Sequence, residues 1–290
     1  MTLSQISTPL TRDQAWTLVD AVMELGDLAL TASAHEDTST GEWVFEATCE
    51  MLPDLLAFEE LARTTLGGEV DFTITPIDPE VNWVAKSLEG LHPVTSGGFY
   101  VYGSHSEGAA PRAGAIPLRI EAAQAFGTGH HETTTGCLEA IDRALKRKRF
   151  RAMLDVGTGT GVLAIALAKR THLPVLASDI DPIAVTTTVE NARDNGVGRY
   201  IIAFEATGLD HRQIANGAPY DLVVANILAG PLVSLAPGMR KVTAIGATVI
   251  LSGILNTQAN RVISAYSQQG IVLRQRIVKK EWTTLVLERV

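Results

Sequence analysis

The chain has 290 residues, 46% of them hydrophobic and 19% charged, which is long enough for two domains and apolar enough for a large core, and excludes a disordered chain. A formal charge of −8 gives no general attraction to nucleic acid or an anionic membrane surface and suits a basic protein partner. Cys49 and Cys137 stand far apart without a CxxC pair, so neither a disulfide framework nor a zinc site is expected. The opening MTLSQISTPLTRDQ has no charged and apolar leader pattern, and no run of about 18 apolar residues occurs. The expectation is a soluble, cytoplasmic protein without membrane contact.

In chain order, Ala15, Leu18, Val19, Val22, Met23 and Leu25 recur at helical spacing within Thr11 to Leu30, with Thr11 as N-cap and Gly26 as stop. Trp43 to Cys49 reads as a strand, Pro53 to Leu66 as a helix closed by Gly67 and Gly68, and Val70 to Ile77 as an alternating strand. These elements predict a small N-terminal α+β domain of ferredoxin-like type over residues 1–78. Residues 79–120 read as a linker with connecting strands at Phe99 to Tyr102 and Ile116 to Ala122.

From residue 121 to residue 290 strands and helices alternate. Helix Thr134 to Lys146 precedes a strand around Met153, Leu154 and Val156; Val162, Leu163, Ile165, Ala166 and Ala168 open a helix; Pro174 to Ser178 is a strand that ends at Asp179. A helix from Pro182 to Asn195, strands at Tyr200 to Ala206, Tyr220 to Ala225 and Ala247 to Ser252, and a helix near Gln258 to Gln268 follow. Ile271 to Val278 and Trp282 to Val290 are joined closely enough for an antiparallel hairpin. The pattern predicts an α/β, doubly wound, mostly parallel seven-stranded sheet of Rossmann-like type, with that hairpin at its C-terminal end.

Three stretches carry chemistry. In LDVGTGTGVLAIAL, Gly157, Gly159 and Gly161 let a strand turn sharply into a helix and approach a ligand without Cβ obstruction, beneath the helix N-terminus. Asp155 precedes the first glycine, and Val162 stands where a dinucleotide GxGxxG would place glycine. Asp179, at the end of the next strand, can accept both ribose hydroxyls of a nucleoside. The second stretch, AFGTGHHETTT, offers a threonine N-cap that does not preclude ligand contact. Its adjacent His130 and His131 lack the further ligands a metal needs, so no metal is expected. In YDLVVANILAGP a buried strand ends at Asn226, at the sheet edge where such folds bind ligands. Asn226 either terminates the strand or orients an incoming amine and the cofactor's carboxylate region.

The glycine turn and Asp179 resemble the class I S-adenosylmethionine-dependent methyltransferases. The blocks AFGTGHHETTTGCLEAID, LDVGTGTGVLAIAL, ASDIDPIAV, NARDNGV, VVANILAGPLVSLAP, ILSGIL and KKEWTTLVL resemble more narrowly the ribosomal protein L11 methyltransferase family. They cover residues 121–290 in order, while the first third is similar in shape alone. The resemblance implies a protein-lysine or N-terminal amine N-methyltransferase acting on ribosomal protein L11, with S-adenosyl-L-methionine as cofactor, and an N-terminal domain that recognises the substrate. It implies cofactor contacts at Thr134, Gly157, Asp179 and Asn226. On that basis Gly159 is expected to pass under the cofactor beside Gly157, and Asn226 with the Ile227 carbonyl is the candidate for aligning the amine. A monomer that binds no nucleic acid is expected. Two positions depart from the family's GTGTHPTT, since His130 and Glu132 replace Thr and Pro. The rival classes are a nicotinamide-dependent oxidoreductase, against which Val162 and Asp155 speak, a methyltransferase acting on small molecules or nucleic acid, and a binding module without catalysis.

Overall fold

The structure, a computed structural model, describes residues 3–25, 28–37, 40–50, 52–77, 93–103, 114–121 and 131–290. The stop expected at Gly26, the strand end at Ala122, and Gly127, Gly129 and His130 lie outside the described residues. Those described fall into two compact units, each with cores of its own.

The first unit runs β1 (Leu3–Leu10), α1 (Arg12–Leu25), β2 (Thr31–Glu36), β3 (Trp43–Glu50), α2 (Leu55–Leu66) and β4 (Thr73–Ile77). Its sheet order is β2-β3-β1-β4 with every neighbouring pair antiparallel. Thr11 caps α1 reciprocally with Gln14: the Thr11 N–H donates to Gln14 Oε1 over 3.2 Å and the Gln14 N–H to Thr11 Oγ1 over 3.4 Å. The amphipathic faces expected from the spacing bury Ala15, Leu18, Val19 and Val22 of α1 and Phe58 and Ala62 of α2 against Ile6, Phe45 and Ala47. Two strands, β1 and β2, add to those read from the sequence, and α1 ends at Leu25, the residue before the expected stop.

The second unit holds two sheets. In the smaller, β5 (Val94–Ser96) pairs antiparallel with β6 (Phe99–Tyr102), which pairs in parallel with β7 (Ile116–Arg119). The chain continues through α3 (His131–Arg147), β8 (Met153–Val156), α4 (Val162–Thr171), β9 (Val175–Asp179), α5 (Pro182–Asp194), β10 (Ile201–Glu205), α6 (Arg212–Gly217), β11 (Tyr220–Asn226), α7 (Ala229–Val242), β12 (Thr243–Leu255), α8 (Ala259–Ser267), β13 (Ile271–Lys279) and β14 (Trp282–Arg289). The seven-stranded order is β10-β9-β8-β11-β12-β14-β13. Pairing is parallel from β10 to β12, and β14 is antiparallel to both its neighbours.

Alternate residues of the central strands enter opposite cores, as a sheet covered on both faces requires. Met153, Leu222, Val224 and Ile250 face α3, α4 and the end of α5. Leu154, Val156, Val223, Ala225, Val249 and Leu251 face α6, α7 and α8. At the end of β7, the side chains of Asn191 in α5 and of Asn195, which caps it, accept from the backbone as a neighbouring strand would. The Arg119 and Glu121 N–H groups donate over 3.0 Å to Asn195 Oδ1 and Asn191 Oδ1, and Asn191 Nδ2 donates to Thr160 O over 2.9 Å. Strand β8 lies between β9 and β11, so the order reverses there, and in doubly wound sheets the ligand crevice lies above the carboxyl ends of the strands at such a point.

Candidate functional site in the crevice above β8

Three glycines make the floor, each in the left-handed region, with φ of 69° at Gly157, 56° at Gly159 and 83° at Gly161. The Gly157 and Thr158 N–H groups both donate to Ser178 O, over 2.8 and 3.0 Å, which ties the turn to β9. A Cβ on Gly157 would collide with Ile227 Cγ2, whereas at Gly159 nothing stands within 4 Å of where a Cβ would be. Gly159 is therefore where a ligand can pass against bare backbone. Thr188 Oγ1 holds Gly159 from below, donating to its carbonyl over 3.0 Å.

Asp179 ends β9 beside this turn. Gly159 N donates to its Oδ2 over 2.8 Å and Asp181 N to its Oδ1 over 3.1 Å. Both carboxylate oxygens are thus fixed by backbone, and each keeps lone-pair capacity for a diol. Ile180 and Ile183, which follow, are 66% and 56% exposed and give an apolar surface next to the carboxylate.

Asp155 is the buried acid of the strand. Thr158 Oγ1 donates to its Oδ2 over 2.9 Å and Ala164 N over 3.1 Å. Burial pushes its carboxyl up to about 7, against the pull of those two bonds, and the nearby charge of Asp179 adds to the rise. Cys137, buried in α3, is raised to about 12 by the same desolvation and is a neutral thiol.

Across the crevice, Asn226 ends β11, and its Nδ2 donates to Thr133 Oγ1 over 3.3 Å in the first turn of α3. The Ile227 side chain lies over Gly157, and its backbone rests on Gly253, where a Cβ would strike the Ile227 carbonyl. Thr134 is buried. Thr134 Oγ1, Asn226 Oδ1 and Asp155 Oδ1 are buried without a hydrogen-bond partner among the described residues. Unsatisfied buried polar atoms around open backbone fit a polar ligand that supplies the missing partners. The structure therefore brings Gly157, Gly159, Asp179, Asn226 and Ile227 to the rim of one crevice, with Thr134 next to Thr133, which bonds Asn226. Thr133, Ser252, Gly253 and Thr284 escaped the sequence reading. The only available signals were the threonine run 133–135 and the ILSGIL block.

Glu132, in the first turn of α3, pairs with Lys280 in the β13–β14 turn. An acidic side chain in the first helical turn also suits the helix dipole. Among the described residues no group of His, Cys, Asp and Glu has the geometry to hold a metal ion, and no helix is long and apolar enough to cross a membrane.

The strand order, the reversed β14 and the glycine turn against an acidic strand end define a class I methyltransferase fold. The chain belongs to the ribosomal protein L11 methyltransferase (PrmA) family, whose model matches residues 10–290. It is 49% identical over 211 residues to the ribosomal protein L11 methyltransferase of Chelativorans sp., covering 73% of this chain and 72% of that one. To the Rhizobium meliloti protein of that name it is 42% identical over 288 residues, 96% of this chain and 97% of that one. A crystal structure of ribosomal protein L11 methylase from Lactobacillus delbrueckii subsp. bulgaricus superposes with a TM-score of 0.62 at 29% identity, over 69% of this chain and 99% of that one. The likeness to the Rhizobium protein extends through the first unit, which the sequence motifs did not cover.

Proposed function

We propose that the protein is an S-adenosylmethionine-dependent N-methyltransferase that modifies lysine side chains, the N-terminal amine, or both, of ribosomal protein L11. The observation that carries this reading is the Gly159 amide on the Asp179 carboxylate, which presents a rigid diol acceptor directly beside open glycine backbone. The names of the relatives supply the substrate.

Asp179 holds the ribose hydroxyls, Gly157 and Gly159 pass under the cofactor, and Thr134 Oγ1 contacts it from α3. When bound, S-adenosylmethionine supplies a methyl group on a cationic sulfur that departs as a neutral thioether. The chain must bring a neutral amine to about 3 to 3.5 Å in line with that bond. An ordinary lysine, with a pKa near 10.4, has to shed its proton first, through desolvation or loss to solvent. Asn226 Oδ1 and the Ile227 carbonyl accept the amine's N–H groups and so direct its lone pair; no side chain here is assigned as general base. Residues 1–78 recognise L11 and residues 121–290 carry the chemistry, joined by residues 79–120. The protein acts as a cytoplasmic monomer without nucleic acid.

Incubation with labelled S-adenosylmethionine and purified L11, followed by mass spectrometry of the product, tests this reading. Methyl groups on L11 amines are expected. Cofactor retention without any transfer to L11 would overturn the substrate assignment, and retention of a nicotinamide dinucleotide in place of S-adenosylhomocysteine would overturn the reaction class.

A further inference from the structure

We infer that Thr133 is a positioning residue for transfer: its hydroxyl anchors the NH2 end of the Asn226 carboxamide, so that the oxygen end faces the incoming amine. The inference rests on the assignment of Asn226 to the amine.

A carboxamide can present either of two ends, and they do opposite things to an amine nucleophile. Its oxygen accepts an amine N–H and leaves the lone pair free for the methyl carbon. Its NH2 would donate to that same lone pair and block attack. In this site Nδ2 is committed to Thr133 Oγ1 at 3.3 Å, and Oδ1 is buried with no partner among the described residues. The free acceptor is therefore the end that chemistry needs, and Thr133 selects it.

Thr133 is itself fixed from behind. It is fully buried, and its carbonyl accepts from Ser252 Oγ over 3.3 Å, while Ser252 Oγ lies 2.8 Å from Thr284 Oγ1. With its one proton on Thr133 O, Ser252 accepts from Thr284, which orders the chain of bonds from β14 through β12 to α3. One turn on, Gly136 comes so close to Thr284 that a Cβ there would strike its Oγ1. The Glu132–Lys280 pair fastens the same turn of α3 to the β13–β14 turn. These contacts hold the α3 N-terminus as a rigid mount for one hydroxyl.

The test uses the full chain and purified L11, with turnover and S-adenosylhomocysteine affinity measured for Thr133→Val, Thr133→Ser, Asn226→Ala and the Thr133→Val/Asn226→Ala double variant. Thr133→Val keeps the volume and removes the acceptor. It is expected to lower kcat about tenfold, which is about 1.4 kcal/mol, with cofactor affinity unchanged, while Thr133→Ser retains turnover. In the double variant the Thr133 change should add nothing to Asn226→Ala. If Asn226→Ala is impaired but Thr133→Val is not, the role of Thr133 is wrong and that of Asn226 stands. Full turnover by Asn226→Ala removes both. Equal losses in Thr133→Val and Thr133→Ser, or a matching loss of cofactor affinity, also overturn the inference by making the residue a packing or cofactor contact. Should Thr133→Val fail to fold, Thr133→Ala, which removes the hydroxyl without adding any atom, is read the same way.

Discussion

The Gly159 amide donates to Asp179 Oδ2 over 2.8 Å, so the side chain proposed to hold a ribose also braces the glycine turn. Asp181 N holds the other oxygen over 3.1 Å. Replacing Asp179 by Asn keeps the size but turns an NH2 toward one of these two donors. Asp179→Asn and Asp179→Ala are both expected to weaken S-adenosylhomocysteine binding by about ten- to a hundredfold, with circular dichroism unchanged. Calorimetry giving wild-type affinity for either variant would remove Asp179 from the site.

Gly157 and Gly159 differ in what stands above them, and substitution should separate them. Alanine at Gly159 meets no atom and costs stability through its positive φ alone, about 1 kcal/mol, but puts a methyl where the ligand would pass. Alanine at Gly157 adds a collision with Ile227 Cγ2, for a total of about 1–3 kcal/mol. Ile227→Ala removes the colliding atom, so the Gly157→Ala/Ile227→Ala pair should be less destabilised than the sum of its singles. Strict additivity in thermal unfolding would mean that Ile227 already moves away from the turn.

The site was legible where chemistry is local. Strand, glycine turn and helix follow one another from Met153 to Thr171, and Asp179 ends the next strand, so period and spacing reveal them. Contacts between distant segments leave no such trace, and Thr133 meets Asn226 across 93 residues. Two elements were hidden by composition. Strand β1 turns Ser4 and Thr8 inward along with Ile6, which erases the apolar alternation. Helix α7 contains Pro231, Pro237 and Gly238, which read as breakers. Pro231 is third in the helix, where its missing N–H costs nothing, and Pro237 is tolerated while Leu232, Ala236 and Met239 stay buried around it.

Asp155 predicts a pH dependence of stability. Burial raises its carboxyl from 3.8 to about 7 in the folded chain, so between these values the folded state holds a proton that the unfolded chain has released. The stability this contributes is complete below 3.8 and is lost as pH rises to about 7, with no further change above. Asp155→Asn cannot titrate. The difference in melting temperature, wild type minus variant, should therefore fall between pH 4.5 and 7 and level off beyond it. A flat difference over that range would show that the carboxyl is ionised throughout, held by a compensating charge.

The division into two units predicts a separable loss. Every residue assigned to the cofactor or the amine lies within the second unit, whose seven-stranded sheet has its own core on each face. The first unit closes a core of its own around Phe45, Phe58 and Phe72, with ring centroids 5.8 to 6.4 Å apart. Deleting residues 1–78 is expected to leave S-adenosylhomocysteine affinity intact while kcat/KM on L11 falls by about a hundredfold or more. Binding energy from remote parts of a substrate is what brings its reacting group into line. Calorimetry on the truncated chain checks the first expectation and methyl transfer to intact L11 the second. Undiminished transfer would mean that L11 is recognised by the catalytic unit itself, and lost cofactor affinity would mean that the second unit needs the first in order to fold.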